Sequence, residues 1–108
     1  MNSRDKGARG ERELASKLKE YGFDAYRGVQ YHGGENSPDV VCFKDVHIEC
    51  KRVESLNIDK AMEQAMRDCG KKKPAVFHRR NGKPWKVTML LDDWIELYKG
   101  AHNGENQD

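Results

Sequence analysis

The chain has 108 residues and a formal net charge of +2, and its residues are 36% hydrophobic and 35% charged. This length allows one domain with one core, and the short periodic runs of apolar residues favour a folded domain over disorder. No apolar run approaches the ~20 residues of a membrane-spanning helix, and the charged start lacks the apolar segment of a signal peptide. These features predict a soluble cytoplasmic protein and argue against a membrane protein.

Hydrophobic periodicity and turn residues predict three helices and five strands. In chain order the predicted elements are a helix over 5–21, strands over 23–30, 39–43 and 46–53, a helix from the N-cap Asn57 to about Gly70, strands over 74–78 and 85–90, and a last short helix capped by Asp92 or Asp93. The stretch 31–38 has the composition of a loop. We therefore expect an α/β fold with one mixed sheet flanked by helices, a single domain over 1–100 and a frayed tail over 101–108.

The first predicted helix combines an apolar stripe with an unusual acid. Gly7 and Gly10 weaken its first turn, so either the helix begins late or something approaches its backbone closely. Glu11 falls within the stripe, whereas Glu13 is predicted to point to the opposite, solvated side. A carboxylate on a core-facing stripe is costly unless it has a partner, either a metal ion or a nearby arginine. The stripe consists of Ala8, Leu14, Ala15, Leu18 and Tyr21.

The cysteines and histidines do not form a recognisable disulfide or zinc pattern. Cys42, Cys50 and Cys69 are an odd number and lack C-x-x-C spacing, which fits reduced thiols in the cytosol. The histidines are scattered along the chain, so their spacing does not match a structural zinc site. Cys42 and Cys50 alternate with polar neighbours, and we expect them to be small core residues.

Charge is distributed unevenly along the chain. Eight basic residues and one acid lie between Arg67 and Lys86, whereas five acids and one basic residue lie between Asp92 and Asp108. The first twelve residues add four more basic side chains. Such asymmetry suggests a polyanion-binding face, although a merely solvated surface would have the same composition.

Two carboxylates and an ammonium group converge in the predicted hairpin of the second and third strands. Glu49 and Lys51 point to one face of the third strand, about 6–7 Å apart, while Cys50 points to the other. The turn at 44–45 brings Asp39, which starts the preceding strand, close to Glu49. Adjacent carboxylates repel each other and do not both stay ionised unless a cation lies between them. Their oxygens suit Mg²⁺ or Mn²⁺, and Lys51 would orient or help deprotonate a metal-bound water, as phosphodiester hydrolysis requires.

The alternative for these residues is an ordinary amphipathic strand with an exposed Glu-x-Lys pair. That pattern is common, so Glu49 and Lys51 alone carry little information. The pair becomes more informative when Asp39 lies at hairpin distance and Glu11 lies on the apolar stripe of the first helix.

Three short segments of the sequence carry a family resemblance, GARGEREL over 7–14, PDVV over 38–41 and IECK over 48–51. Together they resemble the PD-(D/E)XK nuclease superfamily, and within it the archaeal-type Holliday junction resolvases and their small phage-encoded relatives. The resemblance covers about residues 7–74. It implies a restriction-endonuclease-like αβββαβ core, which agrees with the element order derived above. The loop over 31–37 is longer and richer in glycine than in the simplest resolvases, and whether it contacts DNA stays open.

The resemblance also implies the roles of individual residues. Glu11, Asp39, Glu49 and Lys51 would form the catalytic set, and Gln64 stands where relatives often carry a polar helix residue near the active site. The three carboxylates would surround Mg²⁺ or Mn²⁺, with the backbone carbonyl of Cys50 as a further ligand.

These residues lead to the hypothesis of a metal-dependent DNA endonuclease that acts on branched DNA in recombination, repair or phage DNA processing. The alternatives are a repair, nicking or restriction-type nuclease that acts on linear duplex, and a catalytically silent nucleic-acid-binding module. A small-molecule substrate is not expected, and a phage-encoded enzyme would work in the host cytoplasm. The residues expected to contact DNA phosphates are Arg4, Lys6, Arg9, Arg12, Lys60, Arg67, Arg79, Arg80 and Lys83.

A junction resolvase makes two symmetrical cuts, so this hypothesis implies a homodimer. Its interface would involve the basic hairpin over 79–83 or an aromatic cluster of Trp85, Trp94 and Tyr98. The alternative for those aromatic side chains is an ordinary place in the core.

Overall fold

The computed structural model describes residues 3–28 and 37–102, with the side chains of the first helix described from Gly7 onward. Within these residues the predicted order of three helices and five strands is confirmed. The elements are α1 (Ser3–Glu20), β1 (Tyr26–Arg27), β2 (Val40–Val41), β3 (Val46–Arg52), α2 (Ile58–Asp68), β4 (Lys73–Arg79), β5 (Lys86–Met89) and α3 (Leu91–Ala101).

The strands form one mixed sheet in the order β1-β2-β3-β4-β5. β3 and β4 run parallel and are joined through α2, whereas the other neighbours are antiparallel. Because α2 is a crossover between parallel strands, its C-terminal end lies at the beginning of β3. The β4–β5 hairpin lies at the other end, beside the last residues of β3, where Arg52 is paired with Arg79.

The core occupies both faces of the sheet. On one face α1 packs Leu14 and Leu18 against Ile48 and Phe77. On the other face α2 packs Ala61, Met62 and Ala65 against Val76. Burial on both faces explains why β3 and β4 are the longest strands.

Two details of α1 and α2 confirm local predictions. A Cβ added at Gly10 would lie 2.6 Å from Cβ of Arg52, so the predicted close approach to the helix backbone is real and comes from β3. The Asn57 side chain accepts a hydrogen bond from the backbone N–H of Lys60, at 3.1 Å, and is the N-cap of α2. Tyr21 departs from the predicted stripe, because it lies beyond the last helical turn and is exposed.

β1 is much shorter than the predicted strand over 23–30. Its ladder with β2 contains the pairs Tyr26 with Val41 and Arg27 with Val40, and the N–H of Gly28 then donates to the Asp39 carbonyl at 2.9 Å. Pro38 comes next on the partner strand and has no N–H to continue the ladder. The rest of the predicted strand and most of the predicted loop, residues 29–36, lie outside the described residues, as do residues 103–108 of the predicted tail.

α3 differs from the predictions in its cap and in its packing. The N-cap is Leu90, without a side-chain hydrogen bond, and Asp92 and Asp93 lie within the first turn, so they favour the helix through their charge. Trp94 and Tyr98 stack on each other with ring centroids 5.3 Å apart, and each is about half exposed. The alternative that these two rings have an ordinary place in the core is therefore wrong, whereas Trp85 is partly buried against the main core cluster.

The three cysteines are free thiols, as the sequence predicts. Cys42 and Cys50 are partly buried against the core on the α1 side. Burial, followed by the nearby charge of Asp39, raises the pKa of the Cys50 thiol, so this group is an inert packing residue. Within the described ranges, no helix is both long and apolar enough to cross a bilayer.

Candidate active site

Asp39 lies directly before β2 and is held beside β3 by hydrogen bonds to its backbone. Its N–H donates to the carbonyl of Ile48 at 2.9 Å, and its Oδ2 accepts the N–H of Cys50 at 2.8 Å. Burial and the charges of Glu49 and Glu11 raise the pKa of Asp39 to about 7, although the Cys50 N–H works in the opposite direction. A carboxylate whose ionisation is opposed in this way is a favourable ligand for a cation.

Glu49 occupies the centre of β3 and is almost completely buried, at 2% exposure. Its charge helps to raise the pKa of the neighbouring Asp39, and its Oε1 lies 3.1 Å from Nε2 of His47. Lys51 projects from the same face two residues later, and its Nζ donates to Oε1 of Gln64 on α2 at 3.3 Å. The structure therefore brings the predicted Asp39, Glu49, Lys51 and Gln64 together.

Glu11 reaches the same cluster from α1. Its Oε1 accepts a hydrogen bond from Nε of Arg27 at 3.0 Å, and its side chain is 17% exposed. Its charge also contributes to the raised pKa of Asp39. Of the two partners that the sequence analysis considered for Glu11, the arginine is present as Arg27.

Glu13 does not point to solvent, and that prediction is wrong. Its carboxylate accepts from Nε of Arg52 at 3.2 Å and also pairs with a guanidinium nitrogen of Arg79. The two arginines belong to the adjacent ends of β3 and β4, so Glu13 ties α1 to that end of the sheet. It stabilises the frame around the acidic cluster.

The structure adds two residues that were not in the predicted site. His47 is buried beside Glu49, and Asp68 lies at the end of α2. One ligand atom from each of His47, Glu49 and Asp68 lies within 4.8 Å of the others. The alternation of His47, Glu49 and Lys51 along β3 is a sequence signal for a polar row on one face, whereas the arrival of Asp68 depends on the packing of α2.

The predicted DNA-binding side chains divide into three groups. Arg79 is engaged within the protein, because it pairs with Glu13 and its Nε donates to the carbonyl of Lys83 at 2.6 Å. The side chains of Arg4 and Lys6 lie outside the described part of the chain. The predicted residues that are exposed are Arg9, Arg12, Lys60, Arg67, Arg80 and Lys83.

The carboxylates of Glu11, Asp39 and Glu49 form a donor set that suits a divalent metal ion. Oxygen ligands with positions left for water and phosphate are typical of Mg²⁺ and Mn²⁺ sites. Burial first, and then the charges of Glu49 and Glu11, oppose the ionisation of Asp39 and raise its pKa, so a divalent ion would relieve an electrostatic penalty. The residues present therefore fit a divalent metal.

Comparisons with known proteins give one family match and a similar solved structure. The family model described as archaeal Holliday junction resolvase (Hjc) matches residues 2–92. The 1.6 Å structure of Archaeoglobus fulgidus Hjc, a Holliday junction resolvase from an archaeal hyperthermophile, is similar at 28% identity and a TM-score of 0.55. The match covers 78% of this chain and 72% of that chain. A comparison with curated protein sequences gives no significant match.

The family match and the structural match lead to the same conclusion. The family model covers most of the chain, and the similar structure shares the fold that positions the acidic cluster. The resemblance of the three sequence segments to archaeal-type resolvases is therefore confirmed. The chain belongs to the archaeal Holliday junction resolvase family, whose members are DNA endonucleases that act on branched DNA.

Proposed function

We propose that this protein hydrolyses phosphodiester bonds at four-way DNA junctions with Mg²⁺ as its metal and Mn²⁺ as a substitute. Glu11, Asp39 and Glu49 hold the metal, and the backbone carbonyl of Cys50 is a further ligand. The observation that carries the proposal is the position of Asp39, whose carboxylate accepts the N–H of Cys50 directly next to the buried Glu49 of β3. A group of acids that oppose each other's ionisation is suited to binding a divalent cation.

The metal supplies a polarised phosphate and an activated water when it is bound. The remaining chemistry belongs to the side chains. The Cys50 N–H fixes the direction of Asp39, and Gln64 holds the ammonium of Lys51 beside Glu49. The positive charge of Lys51 then orients the attacking water and stabilises the negative charge that develops on the phosphate. Burial of Glu49 excludes bulk water from one side of the cluster and strengthens these interactions.

Phosphate contacts hold the DNA around this centre. The end of β3 that carries Lys51 lies beside the β4–β5 hairpin, so Arg80 and Lys83 lie at the same end of the sheet as Lys51. Contacts of this kind position a DNA backbone without reading bases, which suits an enzyme that selects for junction shape. We propose that the enzyme works in the cytoplasm, on the DNA of the cell or of an infecting phage, and that residues 1–100 form its domain.

Symmetrical resolution of a junction requires two active sites, and we propose a homodimer. α3 offers exposed aromatic surface, because Trp94 and Tyr98 are half exposed and stack in one row. An apolar patch on a small soluble domain is more commonly covered by another chain than left in water. The hairpin over 79–83 remains the alternative interface.

The proposed chemistry is tested by separating cleavage from binding. We expect Asp39→Asn, Glu49→Gln and Lys51→Ala each to lower cleavage of a four-way junction in Mg²⁺ by at least about 10²-fold, since each removes a group that acts on the reacting phosphate. Junction binding in a gel-shift assay should stay close to that of the wild type, because affinity comes from separate lysines and arginines. A folded variant that cleaves at the wild-type rate would remove its residue from the active site.

A further inference from the structure

The α2-facing side of β3 carries a continuous row of polar side chains. His47, Glu49 and Lys51 alternate along the strand, and the first two are polar residues buried in the core, at 1% and 2% exposure. Two residues of α2 that are one helical turn apart lie against this row. Gln64 contacts Lys51, and Asp68 lies near His47 and Glu49. The proposed catalysis uses Lys51, Gln64 and Glu49 but assigns nothing to His47 and Asp68.

The spacing of these atoms suits coordination of one metal ion. Ligands that bind a transition metal at 2.0–2.2 Å lie roughly 2.9–3.5 Å from each other. His47 Nε2 and Glu49 Oε1 already lie 3.1 Å apart, and a carboxylate oxygen of Asp68 lies within 4.8 Å of both. Asp68 is partly exposed at the last position of its helix, so its side chain has room to close the remaining distance.

The local electrostatics also favour a cation. Two carboxylates, Glu49 and Asp68, face a single imidazole. Asp68 stands at the C-terminal end of α2, where the helix carries partial negative charge and where an acidic side chain is normally unfavourable. A bound cation would offset both the repulsion between the acids and the interaction of Asp68 with the helix end.

We propose that His47, Glu49 and Asp68 form a second metal site, which takes a divalent transition-metal ion such as Zn²⁺ in preference to Mg²⁺. The imidazole nitrogen distinguishes this site from the cluster of Glu11, Asp39 and Glu49, whose side chains offer only oxygen. The ion lies between Nε2 of His47 and Oε1 of Glu49, and the neutral imidazole that binds it carries its single proton on Nδ1. Glu49 belongs both to this site and to the proposed catalytic cluster, and that double role rests on the proposed function. Binding of the second metal ion itself does not require cleavage.

The test is a titration with Co²⁺, whose visible absorption reports nitrogen and oxygen ligands, in an excess of Mg²⁺ that fills the oxygen-only cluster. The wild type should bind one equivalent of Co²⁺. His47→Gln and Asp68→Asn should bind it at least about tenfold more weakly, because loss of even an indirect partner of a metal ligand costs that much. Two variants serve as matched controls and should bind like the wild type: Glu11→Gln, which alters only the other cluster, and His78→Gln, which removes a histidine bonded to Thr88.

The design stays decisive if the buried His47 variant does not fold. Asp68→Asn changes a partly exposed side chain at a helix end, and the imidazole of the wild type can be followed directly by NMR as Zn²⁺ is added. A shift of the His47 ring nitrogens at one equivalent supports the site. Unchanged His47 signals, or Co²⁺ binding that survives Asp68→Asn and is lost in Glu11→Gln, overturn it. Junction cleavage by the wild type in Mg²⁺ tests the proposed function separately.

Discussion

Glu11 is the residue whose surroundings most sharply separate a structural role from a catalytic one. It pairs with Arg27, which is 42% exposed, and its charge also acts on Asp39. A solvent-exposed ion pair contributes only about 0–1 kcal/mol, whereas mutual repulsion among buried acids is screened much less. We therefore expect the catalytic role of Glu11 to outweigh its structural role.

We expect Glu11→Gln to leave the metal-free protein as stable as the wild type or more stable, because it removes repulsion from Asp39 and sacrifices only the pair with Arg27. The increase in Tm caused by Mg²⁺ should become smaller, and cleavage should fall strongly. Thermal melts with and without Mg²⁺, together with a cleavage assay, provide the measurement.

Glu13→Gln is the matched control on the same helix. Glu13 forms ion pairs with Arg52 and Arg79, so its substitution should lower Tm by loosening the contact between α1 and the sheet. The increase in Tm caused by Mg²⁺ should stay as large as in the wild type. A Glu11→Gln protein that is destabilised but fully active would assign Glu11 a structural role and would exclude it from the metal site.

The pKa of Asp39 predicts an unusual dependence of stability on pH. Its pKa is raised from 3.8 to about 7 in the metal-free fold by burial first and then by Glu49, so between these values the folded state binds more protons than the unfolded state. The contribution of Asp39 to stability is therefore fully present below about pH 4 and is lost as the pH rises towards 7. Added Mg²⁺ should reverse this trend, because it binds the ionised carboxylate.

Urea denaturation measures this contribution as the difference in the free energy of unfolding between the wild type and Asp39→Asn. The measurement is made at several values of pH between 4 and 8. The stability advantage of the wild type over the variant should decrease as the pH rises in EDTA. A difference that stays constant or increases with pH would show that Asp39 is not held in a raised-pKa environment.

At the scale of elements, the hairpin between β4 and β5 is the surface that we expect DNA to contact beside the active site. Arg79 is committed to Glu13 and to the backbone of the hairpin, so Arg80 and Lys83 are the exposed cations of its turn. Replacing both with alanine should weaken junction binding and reduce the slope of log K against log salt concentration by about two contacts.

Lys71 and Lys72 provide a control of equal charge. They are exposed in the turn before β4, at the end of the sheet opposite the hairpin, so replacing them should leave the salt slope close to its wild-type value. Equal changes for the two double variants would mean that net charge, and not the position of the hairpin, determines binding.

The sequence predicts elements well where the signal is local and poorly where it depends on distant pairing. The cap of α2 is visible in Asn57, and the polar side of β3 is visible in the alternation around Glu49. The length of β1 cannot be predicted locally, because it depends on the pairing of Gly28 with Asp39, after which Pro38 offers no N–H to continue the ladder.

Pairing between distant parts of the chain also explains which predictions about the site were wrong. Helical periodicity alone places Glu13 in solvent, but Arg79 approaches it from 66 residues away in the chain. The sequence could predict the proximity of Asp39, Glu49 and Lys51, because a short hairpin brings them together. Asp68, in contrast, comes close to His47 only when α2 packs across the sheet. Contacts between distant elements are therefore the part of the site that local patterns miss.

At the scale of the whole molecule, one small domain combines a buried acidic cluster with a basic edge and an exposed aromatic helix. In the function that we propose, the cluster carries out hydrolysis, the basic edge binds phosphates, and the exposed Trp94 and Tyr98 contact a second copy. Two such domains related by a two-fold axis would present two active sites to a DNA branch point, whose own symmetry they would match.

The most direct test of this account compares cleavage of a four-way junction with cleavage of a linear duplex that has the same arm sequences. With Mg²⁺ we expect paired, symmetrical cuts in the junction and little cutting of the duplex, and with EDTA we expect binding without cleavage. Equal cleavage of both substrates would contradict selectivity for branched DNA. A junction that is bound but never cut, in Mg²⁺ or Mn²⁺, would contradict the central claim that this fold is a metal-dependent resolvase.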